Sequence, residues 1–156
     1  TMNRIAGRAE TEANYRQWGA RLGRVQRGRW PDGPDRIAMA ISHAAAMASD
    51  DVDAEAILCC TRSGRTARAM ARFRPTARLI GLSPDAVTVR AMAWSWGVEP
   101  VMVDEYGTTD EVVWHAVETA SHKGFIAVGH TVVVLAGAPD RPSGASTDVL
   151  RVVRLQ

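Results

Sequence analysis

The chain has 156 residues, and its 19 basic and 17 acidic side chains give a formal net charge of +2 at pH 7. This length fits one domain, and a composition of 46% hydrophobic and 23% charged residues excludes an intrinsically disordered chain. The small net charge disfavours nucleic acid as a partner. Because no run approaches the roughly 18 apolar residues of a membrane span and no signal peptide pattern is present, we expect a cytoplasmic protein without membrane contact.

Residues 1–34 are predicted to form a helix and a connector. Apolar residues recur at near-helical spacing between Ile5 and Tyr15, which predicts a helix over residues 1–24. The Trp-Pro-Asp-Gly-Pro run at residues 30–34 is typical of a connector. The helix opens the chain with no capping sequence before it, so we expect the chain to be a piece of a longer protein.

Residues 35–156 show the alternation of strands and helices that is typical of an α/β domain. Residues 35–49 carry an apolar stripe on one face of a helix. Apolar runs without polar alternation then predict strands buried on both faces, at residues 56–60, 79–82, 100–103 and 132–136. A last apolar run, 149–155, follows a stretch too short for a crossover helix, so we expect it to be antiparallel. The predicted fold is a three-layer α/β/α sandwich.

Capping signals delimit the helices between the later strands. The Ser-Pro-Asp sequence at 83–85 predicts a helix start with Ser83 as the cap. Gly97 is expected to end this helix after Trp94 and Trp96. The Thr-x-x-Glu pattern at 108–111 is a capping box that predicts the start of the next helix.

The turn after the first strand is the strongest candidate for a binding site. A glycine-bearing turn between a strand and a helix directs backbone N–H groups to one point, which suits a phosphate. Hydroxyl and guanidinium groups add further donors. Six arginines and no acid lie between residues 62 and 78. The residues of this candidate site are Thr61, Arg62, Ser63, Gly64, Arg65 and Thr66. An alternative remains open, in which Ser63 and Thr66 only cap the helix and the arginines form a solvated face.

The polar stretch between the last two strands is the second candidate. It contains Arg141, Ser143, Gly144 and Ser146. This stretch is either an ordinary connector or a loop that closes over a ligand.

Cys59, followed after five residues by Arg65 and Thr66, resembles the loop of cysteine-dependent phosphatases. In such loops, an arginine and backbone N–H groups lower the pKa of a nucleophilic cysteine. Because Cys59 lies inside a predicted buried strand, we expect an inert thiol. The four histidines have no metal-ligand spacing with the cysteines, so we expect no metal site.

Several segments, in collinear order, resemble the C-terminal domain of pyruvate kinase. The clearest are Thr-Arg-Ser-Gly-Arg-Thr-Ala at 61–67, Trp-Gly-Val-Glu-Pro-Val at 96–101 and Gly-His-Thr-Val-Val-Val-Leu-Ala-Gly at 129–137. The resemblance spans residues 36–155, and residues 1–6 resemble the last helix of the family's barrel domain. It implies that residues 1–34 end the barrel, that residues 35–156 form the α/β domain, and that the mixed five-stranded sheet has the order 3-2-1-4-5 with strand 5 antiparallel.

The resemblance implies a regulatory role for this chain. In the family, the barrel transfers a phosphoryl group from phosphoenolpyruvate to ADP with Mg²⁺ and K⁺. We therefore expect this chain to have no catalytic residue and no cofactor of its own, with Mg²⁺ and K⁺ restricted to the barrel. The family's C-terminal domain contributes an effector site and part of an oligomer interface, so we expect a homo-oligomer.

The resemblance also suggests the class of effector. In relatives regulated by sugar bisphosphates, the turn corresponding to 61–66 binds one phosphate and the loop corresponding to 141–146 closes over the ligand. This chain has Asp104 and Glu105 where those relatives bind the second phosphate, which disfavours fructose 1,6-bisphosphate. A sugar monophosphate or AMP is the expected ligand. The alternative function is a purely structural interaction module that pairs with another subunit through residues 149–155.

Overall fold

A computed structural model describes residues 2–13, 15, 17, 18, 21, 32–105, 107–137 and 147–156. The helices of this part of the chain are α1 (Met2–Glu12), α2 (Pro34–Asp51), α3 (Arg65–Ala71), α4 (Ala86–Met92) and α5 (Thr109–His122). The strands are β1 (Ala56–Cys60), β2 (Arg78–Ser83), β3 (Val98–Met102), β4 (Thr131–Ala136) and β5 (Val149–Arg154).

The strands form one sheet in the order β3-β2-β1-β4-β5. The first four strands are mutually parallel, and β5 runs antiparallel to β4. The predicted order and the antiparallel last strand are both confirmed. Because only residues 137–148 separate β4 from β5, the antiparallel direction is the one that a short connection allows.

Helices cover both faces of the sheet and divide the core into two parts. Met39 of α2, Met70 of α3 and Met92 of α4 pack on one face. Val113 and Val117 of α5 pack on the other face. Successive residues of a strand point to opposite faces, so apolar side chains are needed at every position of β1, and this explains its unbroken apolar run. The predicted three-layer sandwich is confirmed.

One predicted helix is interrupted and one predicted helix end is wrong. Helix α1 ends at Glu12 and Ala13 is not helical, residues 15, 17, 18 and 21 are helical again, and the predicted end at residue 24 lies outside the described residues. Helix α4 ends at Met92, because tighter turn hydrogen bonds follow it: the Ser95 N–H donates to the Met92 carbonyl at 2.9 Å. Trp94 and Trp96 therefore lie in the turn before β3, where Gly97 has a φ of 66°.

The caps of α4 and α5 depend on side-chain hydrogen bonds. Asp85, not Ser83, is the N-cap of α4, and its carboxylate accepts from the backbone N–H groups of Val87 and Thr88. The predicted capping box of α5 is confirmed, since Thr108 accepts from the Glu111 N–H and the Glu111 side chain accepts from the Thr108 N–H.

Trp96 forms a contact between α1 and the α/β domain. Its indole Nε1 donates to Glu10 Oε1 at 3.0 Å, and its ring centroid lies 5.5 Å from that of Tyr15. The Arg74 guanidinium lies 3.9 Å from the centre of the same ring, within the range of a cation–π interaction. Helix α1 itself has no buried residue, so its hydrogen bond from Trp96 to Glu10 is a surface contact rather than part of the core.

We predict that Gly81→Ala destabilises the domain by about 1–3 kcal/mol. A Cβ at Gly81 would lie 2.7 Å from Met92 Sδ and 3.1 Å from Val98 Cγ1 in the core. Urea unfolding of Gly81→Ala, Met92→Ala and the double variant measures the coupling free energy between positions 81 and 92. Because Met92→Ala removes the clashing side chain, the double variant should be less destabilised than the sum of the single variants. Additive losses would contradict this packing.

Candidate functional site

The candidate turn, residues 61–66, lies at the point in the sheet where the order in which strands are added changes direction. From β1 the chain moves to β2 and then β3, and it returns to form β4 on the other side of β1. The carboxyl ends of β1 and β4 are therefore neighbours, with the crossover helices of the two halves on opposite faces. Such a switch point leaves a crevice at the sheet edge, and ligands of open α/β sheets bind there.

The backbone of the turn leaves β1 and bends sharply before α3. The Thr61 N–H still continues the sheet by donating to the Leu82 carbonyl at 2.9 Å. Gly64 has a φ of 72° and occupies the N-cap position of α3, a conformation that side-chain-bearing residues rarely adopt. Within the described part of the chain, the backbone N–H groups of Ser63, Gly64 and Arg65 form no hydrogen bond with an acceptor. With respect to the described residues, the turn thus has three consecutive N–H groups without an acceptor, of which those of Ser63 and Arg65 belong to exposed residues and that of Gly64 to a buried one.

The interpretation of Ser63 and Thr66 as helix caps is wrong. The cap position belongs to Gly64, which has no side chain to accept a bond. The Thr66 hydroxyl is instead buried, and it lies 2.6 Å from the Thr147 hydroxyl, which is also buried. This hydroxyl pair connects the turn after β1 to the residues that lead into β5.

Each arginine of the turn has a partner. Arg62 Nη1 lies 3.0 Å from Glu105 Oε1, and Arg65 Nη1 lies 3.2 Å from Asp35 Oδ1. Arg68 Nη2 donates to the Ser63 carbonyl at 2.9 Å. The two ion pairs are largely exposed, so each contributes little to stability, and their guanidinium groups remain accessible to an anion.

Thr88 of α4 supports the turn from the β2 side. Its hydroxyl lies 2.8 Å from the Arg62 carbonyl and 2.7 Å from Asp85 Oδ2. The hydrogen bonds from the Thr88 hydroxyl and from the backbone N–H groups of Val87 and Thr88 lower the pKa of Asp85. The Asp85 carboxylate is therefore held in its charged form beside the turn.

The cysteines do not form a nucleophilic site. Cys59 is fully buried, and burial, with a smaller contribution from Cys60, raises the pKa of its thiol well above the ordinary value. Burial raises the pKa of Cys60 to about 12, and its Sγ lies 4.0 Å from the Val112 carbonyl. A thiolate is needed for nucleophilic attack, so the structure supports the prediction of an inert Cys59 and gives the phosphatase interpretation no support.

The second candidate region lies outside the described residues: Arg141, Ser143, Gly144 and Ser146 all fall in the range 138–146. In the described ranges, no group of three His, Cys, Asp or Glu side chains is placed to hold a metal ion. Among the same residues, no helix has both the length and the apolar character needed to cross a bilayer.

Sequence reasoning missed the partners of the site residues. Asp35, Glu105 and Thr147 are distant in sequence from the turn, and each contacts it through a side chain. The strand order offers one indication, because it places the ends of β1, β3 and β4 at one edge. The sequence pattern does not indicate which side chains pair with each other at that edge.

Comparison with known proteins agrees with the architecture. The family described as pyruvate kinase, alpha/beta domain, matches residues 39–153. The chain is 38% identical over 153 residues to pyruvate kinase of Clostridium acetobutylicum and 33% identical over 153 residues to that of Methylorubrum extorquens. Both alignments cover 97% of this chain and 30% of the relative. A third, with pyruvate kinase of Staphylococcus epidermidis, has 32% identity over 116 residues, 74% of this chain and 19% of the relative. The chain therefore spans less than a third of the curated relatives it matches.

We predict that Gly64→Ala destabilises the domain more than Gly97→Ala, by about 1 kcal/mol. Both glycines have left-handed φ angles, 72° and 66°, so both substitutions carry the same kind of backbone strain. A Cβ at Gly64 would in addition lie 2.7 Å from Arg68 Nη1, whereas nothing lies within 4 Å of a Cβ at Gly97. The displaced Arg68 would lose its bond to Ser63. Chemical denaturation of both variants measures the difference, and equal losses would contradict a close contact at Gly64.

Proposed function

Since the chain belongs to the pyruvate kinase family and corresponds to its C-terminal α/β domain, we propose that it is the regulatory part of a pyruvate kinase. In this proposal the chain has no catalytic group of its own. Phosphoryl transfer between phosphoenolpyruvate and ADP, with Mg²⁺ and K⁺, belongs to a barrel domain. Residues 1–34 would be the end of that barrel, and residues 35–156 would be the regulatory domain.

The proposed ligand is a phosphorylated effector bound at residues 61–66. One observation supports this proposal: the backbone N–H groups of Ser63, Gly64 and Arg65 form no hydrogen bond within the described residues. Consecutive free N–H groups in a turn form a concave site for an anion. Arg62 and Arg65, whose side chains are 64% and 53% exposed, are close enough in sequence to add charged donors.

The residues of the turn would have different roles in this site. Ser63 is exposed, so its hydroxyl is available to a ligand. Thr66 is buried against Thr147 and would position the turn, while the Thr61 N–H is used by the sheet. The loop containing Arg141, Ser143, Gly144 and Ser146 is proposed to close over the ligand from the β4 side, because Thr147 connects the end of this stretch to the turn.

The neighbourhood of the turn favours a sugar monophosphate or AMP over fructose 1,6-bisphosphate. Asp104 and Glu105 follow β3 on the same edge of the sheet. Like charges at short range raise the free energy of a second bound phosphate. A single phosphate held by the N–H groups of the turn avoids that repulsion.

We predict that at least one of AMP, glucose 6-phosphate and ribose 5-phosphate binds this chain in isothermal titration calorimetry, and more tightly than fructose 1,6-bisphosphate. Arg65→Gln should weaken that binding by about tenfold, the effect of one charge-assisted hydrogen bond. Arg154→Gln is the matched control, because Arg154 lies opposite Thr131, the first residue of β4, and so at the end of the sheet away from the turn. This variant should change the dissociation constant by less than about twofold. No heat from any of the four ligands, or equal losses in both variants, would overturn the assignment.

The second candidate function is that of a structural interaction module, and the edge strand β5 favours it. Val152 of β5 is 42% exposed, and Trp114 and Val128 nearby are 56% and 76% exposed. These three side chains line one groove along β5 and α5. An exposed strand edge beside apolar side chains is suited to pairing with another chain, and the same surface would supply the proposed homo-oligomer contact.

We predict that the chain self-associates in light scattering and that Val152→Glu shifts it toward the monomer. A charge at this position disfavours the burial of an edge strand. Val87→Glu is the control, since Val87 is 63% exposed on α4, which packs against β2 and β3 rather than β5. A chain that stays monomeric at the highest soluble concentration would rule out association through this edge.

A further inference from the structure

The Arg62 side chain, one of two arginines in the turn at residues 61–66, is already paired with a carboxylate from another loop. Its Nη1 lies 3.0 Å from Glu105 Oε1. Arg62 follows β1 and Glu105 follows β3, so the pair extends across the carboxyl end of β2, which lies between those strands. Both side chains are nearly two-thirds exposed. An exposed pair of this kind is weak, and a ligand can replace it.

The two ion pairs of the turn lie on different sides of it. Arg65 pairs with Asp35 in the first turn of α2, where the positive end of the helix also stabilises that carboxylate. Glu105 precedes the capping box of α5, whose N-cap is Thr108, so it lies outside the helix. The side of the turn toward β2 and β3 carries further negative charge from Asp85, the N-cap of α4, and from Asp104.

We infer that Glu105 is a specificity-determining residue of the proposed site, and that it selects ligands with one phosphate and hydroxyl groups over bisphosphates. This inference rests on the proposed function. A phosphate bound to the free N–H groups and Arg65 leaves the Arg62–Glu105 pair intact. A second phosphate directed toward Arg62 would have to replace Glu105 and remain beside its charge, which is repulsive. Ligand hydroxyls, in contrast, can donate to the carboxylate.

The test compares glucose 6-phosphate with glucose 1,6-bisphosphate, which differ only by the second phosphate. Calorimetry is carried out on the full chain, on Glu105→Gln and on Asp104→Asn, the last being a matched loss of one negative charge at the adjacent residue. We expect Glu105→Gln to bind the bisphosphate about fivefold more tightly in dilute salt, since one repulsive charge is removed and Arg62 is released. The monophosphate affinity should change by less than about twofold, and Asp104→Asn should have the smaller effect on both ligands. The gain should decrease in about 0.5 M salt, because the Debye length is then only a few ångströms.

The outcomes separate this inference from the proposed function. Wild-type chain that binds glucose 6-phosphate, with an unchanged preference in Glu105→Gln, would overturn the role of Glu105 and leave the phosphate site in place. An equal gain for both ligands, or an equal gain in Asp104→Asn, would also overturn it, because it would indicate a general charge effect. If none of the three chains binds either ligand, the phosphate site and the inference fall together.

Discussion

The burial of β1 on both faces is the constraint on which the rest of the structure depends. β1 lies at the centre of the sheet, between β2 and β4, and Ile57 and Leu58 point into different halves of the core. Helices can cover both faces of a parallel sheet only if the chain crosses from one half of the sheet to the other. Here it crosses between β3 and β4. The carboxyl end of β1 is then the switch point, and the turn at residues 61–66 has to lie there. The fold thus places the candidate site before any side chain contributes to it.

The sequence is sufficient to predict those parts of the fold that depend on burial or on local capping. The apolar run at 56–60 coincides with β1, and the Thr108–Glu111 pattern forms the expected capping box. Prediction fails where hydrogen bonds within a turn compete with a helical pattern. Helix α4 ends at Met92 although the pattern continues to Gly97, because the Ser95 N–H bonds to Met92 in a tighter turn. The choice of Asp85 over Ser83 as the cap likewise depends on a hydrogen-bond geometry that composition does not specify.

The candidate site was predictable as a backbone feature and only partly as a set of side chains. A glycine between a buried strand and a helix indicates a sharp turn with free N–H groups, and Gly64 has the left-handed φ that such a turn requires. The net positive charge of the site is smaller than the number of arginines near it suggests. Carboxylates from positions 35 and 105 reach Arg65 and Arg62, so the turn is closer to neutral than residues 62–78 alone suggest. Contacts between residues so far apart in sequence depend on the packing of the sheet, which a local pattern does not contain.

The buried hydroxyl pair of Thr66 and Thr147 connects the two proposed roles of the domain. Thr66 belongs to the turn that is proposed to bind the effector, and Thr147 lies two residues before β5, the strand that is proposed to pair with another subunit. Both hydroxyls are shielded from water, and an unsatisfied buried hydroxyl is costly, so a shift of the turn has to carry Thr147 with it or break this bond. Binding at one site and association at the other would then be thermodynamically linked, and the linkage would be equal in both directions.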